Sequence, residues 1–190
     1  MENEKHRAAT RVVNYLTLAL GGHLAYEKFT LAAFKPDSES AKALEAAASF
    51  DPEEDNLYFY GPAGSGKTHL GTAAIRAHKN PLVVKPYEIN RMVRACDGAE
   101  AEREVIRGLI ERPVLMIDDL GASKDTEFSI GLIYEIIDGR CMNMRNGLVV
   151  TSNLSLGDLG KKLGDDRLCS RLAGMCKVFK MGGRDHRVKP

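Results

Sequence analysis

The chain has 190 residues, 44% hydrophobic and 28% charged, which suits one globular domain, or one with a short appendage. That balance excludes a disordered chain, a collagen and a coiled-coil rod. The formal net charge of +1 excludes a polycation built as a whole for nucleic acid, so any such contact must come from a local patch.

No apolar run approaches the roughly 18 residues that a membrane-crossing helix needs. Val12–Leu20, the longest near the start, is interrupted by Asn14 and Thr17. The first residues mix both charge signs and no secretion-type cleavage pattern follows, so a cytoplasmic protein is expected. Cys96, Cys141, Cys169 and Cys176 form no Cys-x-x-Cys pair and have no histidine at ligand spacing. Reduced, mostly buried thiols are expected rather than a zinc site.

From Lys5 to Leu20 the apolar residues Ala9, Val12, Val13, Leu16 and Leu20 fall at helical spacing, and Gly21-Gly22 ends the pattern. Tyr26 to Phe34 is apolar and aromatic, closed by Pro36-Asp37. Ser38–Ser49 reads as a helix, and residues 51–55 as an acidic loop. The pattern then alternates. Strand 56–60 precedes helix 68–78; strand 81–85 precedes helices 87–95 and 100–111. Strand 113–117 precedes helix 127–144, and strands 148–151 and 176–180 complete the series. Alternation of this kind predicts an α/β fold with a parallel sheet covered on both faces.

The strongest motif is Gly61-Pro62-Ala63-Gly64-Ser65-Gly66-Lys67-Thr68, a complete G-x-x-x-x-G-K-[ST] between a predicted strand and a predicted helix. Glycines let successive backbone N–H groups converge on phosphate, and the helix N-terminus adds its positive end. Lys67 is placed to reach the β- and γ-phosphates, and the Thr68 hydroxyl to ligate Mg²⁺. A bare glycine-rich turn would explain neither of these two residues.

Val114–Ile117 is an apolar strand ending in Asp118 and Asp119, where open α/β sheets bind ligands. Asp118 fits a Mg²⁺ position, and Asp119 the polarisation of an attacking water. Alone, the pair reads equally as two solvated acids; the phosphate loop about fifty residues earlier tips the reading. The strand 148–151 ends in Thr151-Ser152-Asn153, whose amide suits the γ-phosphate or the water. From Gly160 to Pro190 nine Lys/Arg stand against three Asp. Arg167 and Arg171, four apart, share a helix face, which is either a solvated basic face or a source of an arginine for a neighbouring subunit's phosphate. Weak, salt-sensitive binding to single-stranded DNA is expected through basic patches, with the Arg140–Arg145 region and the C-terminal stretch as candidates.

Taken together, Tyr60–Leu70, Ile117-Asp-Asp-Leu-Gly121, Thr151-Ser-Asn153, Ser170-Arg-Leu172 and Gly183-Arg-Asp-His-Arg187 resemble the AAA+ ATPases of the bacterial helicase-loader group. That group is the DnaC/DnaI type, with the IstB transposition helpers as relatives. The likeness runs from Tyr26 to Arg187. It implies a P-loop NTPase with a five-stranded parallel sheet of order 5-1-4-3-2, flanking helices and little or no lid domain. The ATPase domain would occupy residues 26–190, behind a short helical segment, 1–25, that could bind a partner.

The resemblance also assigns roles. ATP or ADP with Mg²⁺ would sit on Gly61 to Thr68 with His69, and the segment Phe29 to Phe34 would enclose the adenine. Asn153 matches sensor 1, Arg171 the arginine finger, and Arg187 a second arginine near the γ-phosphate. The implied partners are the hexameric replicative helicase, single-stranded DNA and further copies of the chain joined through ATP-bridged interfaces. Hydrolysis would be slow and assembly-dependent, since many AAA+ enzymes carry Glu where Asp119 stands. A transposition or phage regulatory adaptor of the IstB type is the alternative. A small nucleotide kinase fits less well, because its loop would lie nearer the N-terminus and an arginine-rich lid would follow.

Overall fold

The computed structural model describes residues 28–122, 127–142 and 147–182. The helix expected over 5–20, Arg145 and the Gly183–Arg187 motif lie outside them. Five strands form one parallel sheet: β1 (Asn56–Tyr60), β2 (Pro81–Val84), β3 (Val114–Leu120), β4 (Gly147–Ser152) and β5 (Lys177–Lys180). Their order is β2-β3-β4-β1-β5, the expected sheet read from its other edge. Around it lie α1 (Ala41–Ala48), α2 (Lys67–Ile75), α3 (Pro86–Arg94), α4 (Ala99–Ile110), α5 (Glu127–Met142), α6 (Leu156–Leu163) and α7 (Asp166–Met175).

Central strands buried on both faces need apolar side chains without a polar alternation, and β3 and β4 supply them. Successive residues serve opposite layers. Leu115 and Ile117 join Tyr58, Leu148 and Val150 against Ile89, Leu109, Ile133, Ile137 and Leu172 of the larger helical layer. Val114 and Met116 join Leu57, Phe59 and Val149 against Ala43, Ala47, Leu70 and Ile75 of α1 and α2. The register sets Ile117 opposite Val150 and Tyr58 opposite the same Val150, so the tips of β1, β3 and β4 end side by side.

Strand β1 has the span its aromatic run predicts. β3 runs three residues past the expected Ile117, because Asp118 is buried and hydrogen-bonded rather than solvated. All four cysteines are free, and burial pushes the thiols of Cys169 and Cys176 up to about 11 and about 12. Among the described residues no helix is long and apolar enough to cross a membrane.

Arg140 requires a correction. Its charge made it a candidate for DNA, yet it is 1% exposed in α5. One guanidinium nitrogen donates to the carbonyls of Leu109 (2.8 Å), Ile110 (3.0 Å) and Arg112 (2.9 Å), and the other to Gly147 (2.7 Å). The carbonyls of the last turn of α4 have no intrahelical partner, and a fork-shaped cation satisfies them inside the protein. Burial pushes its pKa down to about 9, which leaves it charged at neutral pH. Arg140→Met should lower the unfolding free energy by about 3 kcal/mol, because several buried carbonyls lose their donor. Urea unfolding reads this, and an unchanged midpoint would contradict the bracing role.

Candidate functional site

The phosphate-loop sequence forms a tight bend between β1 and α2. Its base is pinned on both sides: the Gly61 N–H donates to the Ser152 carbonyl (3.2 Å), and the Met181 N–H to the Tyr60 carbonyl (2.7 Å). A side chain at Gly61 would collide with the Met181 carbonyl oxygen, and one at Gly66 would meet the Phe34 ring at 2.8 Å. Gly66 also has φ +87°, a left-handed conformation that glycine adopts freely, and it caps α2 without any side-chain hydrogen bond. Beside the loop lies a cavity of about 320 Å³. It is lined by Ala63, Gly64, Gly66, Lys67, Thr68 and His69, with Phe29, Asp119 and Asn153 closing its other sides.

Lys67 is buried and folds back over the loop. Its ammonium donates to the carbonyls of Gly61 (2.8 Å) and Pro62 (2.6 Å) and lies 3.4 Å from the Ser65 hydroxyl. The two acids sit at the end of β3. Asp118, 1% exposed, accepts on Oδ1 from the hydroxyls of Thr68 (2.8 Å) and Thr151 (2.7 Å). Burial is the largest influence on its pKa and raises it; the two hydroxyl bonds and Lys85 oppose the rise, and the Asp119 charge adds to it.

Adjacent strand residues normally point to opposite faces. Here the β3–β4 pairing slips between Ile117 and Leu120, and Asp119 takes φ +59°. The bulge leaves both carboxylates within reach of one ammonium: Lys85 Nζ is 3.9 Å from Asp118 Oδ2 and 3.7 Å from Asp119 Oδ2. Sequence reading gave Lys85 no role. The usable signal was its position, one residue beyond β2, in a sheet where β2 neighbours β3. Its backbone N–H also donates to the Glu88 carboxylate (2.8 Å), tying it to the first turn of α3.

The aromatic segment before α1 is strapped onto α2. The Phe29 ring stacks on His69 with centroids 4.8 Å apart and planes 19° apart. His69 Nε2 lies 2.9 Å from the Thr30 carbonyl, which can only accept, so that nitrogen carries the hydrogen. Arg76 donates to the Phe29 carbonyl (3.0 Å). Phe29 lines the cavity, whereas Phe34 is buried, edge-on to His69 and under Gly66.

Two arginines lie apart from this cavity. Arg171 on α7 pairs with Asp138 of α5, Nε to Oδ1 2.7 Å, and its bond to Tyr134 is the largest cause raising its pKa. Arg167 pairs with Asp165 (2.7 Å) and lies 5.2 Å from the Tyr134 ring centroid. Arg187 is outside the described residues.

The donor set fits a nucleotide with a hard divalent cation. The Thr68 hydroxyl donates its hydrogen to Asp118 Oδ1, so the hydroxyl lone pairs and Asp118 Oδ2 remain available as oxygen ligands. The glycine bend leaves the uncapped start of α2 facing the cavity, an arrangement suited to phosphate.

The whole chain, residues 1–190, matches the family described as IstB-like ATP binding protein. A protein described as ATP-binding from insertion sequence IS5376 of Geobacillus stearothermophilus is 30% identical over 150 residues, 74% of this chain and 59% of that protein. The replicative helicase loader DnaC of Escherichia coli K12 is 24% identical over 132 residues, 66% of this chain and 53% of that protein. The chain thus spans little more than half the length of these two relatives. The crystal structure of the DnaC helicase loader shares its fold with TM-score 0.70 at 26% identity, covering 83% of this chain and 99% of that one. Motif, sheet order and full-length match converge: this chain belongs to the IstB-like ATP-binding protein family and has the P-loop AAA+ fold.

Proposed function

We propose that the chain is an ATP-driven switch that engages single-stranded DNA and a partner machine in the cytoplasm. The observation that carries this reading is the convergence of Lys67, Thr68, Asp118, Asp119 and Asn153 from separate strand and helix ends. On this reading Lys67 exchanges neutral carbonyl partners for charged phosphate oxygens, a stronger class of hydrogen bond. Thr68 and Asp118 would hold Mg²⁺, which would supply charge neutralisation at the β- and γ-phosphates. Asp119, with 38% of its side chain exposed, accepts the proton of the attacking water, and Asn153 orients that water or the γ-phosphate.

Two partners are supported by different observations. Family membership and the insertion-sequence relative favour a transposition adaptor acting with a transposase. The sequence and fold likeness to DnaC favours loading of a hexameric replicative helicase. Residues 1–25 are the proposed docking segment in either case. Capture from the native host, scored for transposase and for helicase, separates the two.

With Arg140 inside the protein, the basic C-terminal stretch remains a candidate for DNA, and α3 with the start of α5 adds another. Tyr87, Arg91 and Arg94 are exposed at helical spacing on α3, and Arg94 lies 5.9 Å from the ring centroid of Phe128, itself 48% exposed. Aromatic faces stack bases, and arginines neutralise phosphates. Helix α3 is capped at its start by Lys85, the residue that pairs with both acids, so this surface lies on a helix tied to them.

Lys67→Ala should abolish ATP binding in a fluorescent-nucleotide titration. Asp119→Asn should bind normally and lose about 10²–10⁴ in phosphate release. Normal turnover by Lys67→Ala would refute the site. The double variant Tyr87→Ala with Arg91→Ala should weaken single-stranded DNA binding about tenfold or more and flatten its salt dependence, leaving ATP affinity unchanged. Anisotropy titrations at two salt concentrations test this. Finally, Arg171 is proposed to complete a neighbouring copy's site. Turnover should then rise faster than linearly with protein concentration, and a mixture of Arg171→Ala and Lys67→Ala proteins should regain activity that neither has alone. A mixture that assembles but stays inactive would sink the trans-acting role.

A further inference from the structure

We infer that Thr151 is a positioning residue that sets both acids through a single hydroxyl. The inference rests on the ATPase reading of the cavity. Thr151 lies at the tip of β4, wholly buried, opposite Phe59 of β1. Its hydroxyl donates to Asp118 Oδ1 (2.7 Å) and accepts from the backbone N–H of Asp119 (2.9 Å). Only a group that donates and accepts at once can do both, and a hydroxyl is the smallest side chain that does.

The two bonds have different consequences. The first works with Thr68: Asp118 Oδ1 receives one hydrogen from β4 and one from α2. Two donors on one oxygen stop rotation of the carboxylate, and Oδ2 is left as the oxygen on the Lys85 side. The second bond holds the bulge. Where the β3–β4 ladder slips, the Asp119 N–H loses its regular strand partner, and the Thr151 hydroxyl takes its place. That bond holds Asp119 at φ +59°, and this conformation keeps its carboxylate on the same side as Asp118. Without it, the relaxed backbone is extended, and an extended residue at 119 points to the opposite face. The threonine methyl restricts the side-chain torsion and so fixes where the hydroxyl lies.

Sequence reading gave the Thr151-Ser-Asn153 tip one role, that of Asn153. Thr151 was hidden because a threonine in a buried strand is also what β-propensity alone would supply.

The test uses the full chain and steady-state phosphate release with ATP and Mg²⁺. Thr151→Val, nearly the same shape without the hydroxyl, should lose about 10² in kcat and keep ATP affinity within about 3-fold. Thr151→Ser should stay within about 3-fold of the parent in both. Asp119→Asn should cut the parent rate strongly and the Thr151→Val rate hardly at all, because the acid is already misplaced; a general packing defect would leave the two effects multiplicative. Should Thr151→Val fail to fold, Thr151→Ala against Thr151→Ser makes the same comparison, since both lack the methyl and differ in the hydroxyl. Thr151→Val (or Thr151→Ala) turning over like the parent, or Asp119→Asn acting by the same factor in both backgrounds, overturns the inference. A parent that releases no phosphate, or whose release survives Lys67→Ala, instead overturns the ATPase reading and this inference with it.

Discussion

A carboxylate that is 1% exposed must find donors or stay protonated, and at Asp118 that demand organises everything around it. Thr68 reaches it from α2, Thr151 from β4, and Lys85 from the residue after β2. Three separately formed elements thus share one acceptor. The parallel sheet makes this possible, because β2, β3 and β4 are adjacent and their C-terminal ends lie together. The phosphate loop joins the same cluster from β1, and its Gly61 N–H is tied to Ser152 of β4. The cavity is the space left where these ends meet.

The cavity's other wall follows from different chemistry. Segment 28–34 has no strand or α-helix of its own and is held by α2: His69 stacks on Phe29 and bonds Thr30, Arg76 bonds the Phe29 carbonyl, and Phe34 fills the space that Gly66 leaves. One helix therefore carries the phosphate end of the site on its first turn and secures the aromatic end with His69 from that turn and Arg76 just past its last. The glycine at position 66 serves both, since it permits the bend and admits the ring.

How much of this was legible in the sequence depended on the range of the interaction. The phosphate loop and strand β1 were readable because their chemistry is local: glycines, one lysine and one threonine in fixed spacing, after a short aromatic run. Strand β3 was read three residues short, since an aspartate signals a strand end unless its partners are known, and one of those partners is Thr151, 33 residues later. Lys85 and Thr151 were missed for the same reason: their roles exist only once the strands are set side by side. Arg140 was misread because charge alone argues for a surface. What buries it is a set of carbonyls at the end of α4 and the start of β4, which no side-chain pattern announces.

The left-handed turn at Asp119 also limits how this site can change over evolutionary time. Asp and Asn are the side chains that tolerate such a backbone best after glycine. Replacing Asp119 with the glutamate that many AAA+ enzymes carry would add reach, but on a backbone that disfavours it. A lineage that needed the longer acid would first have to iron out the slip between β3 and β4, and with it the bond to Thr151. The two residues are therefore expected to change together or not at all. The route to a different acid here passes through the register of a sheet rather than through one codon.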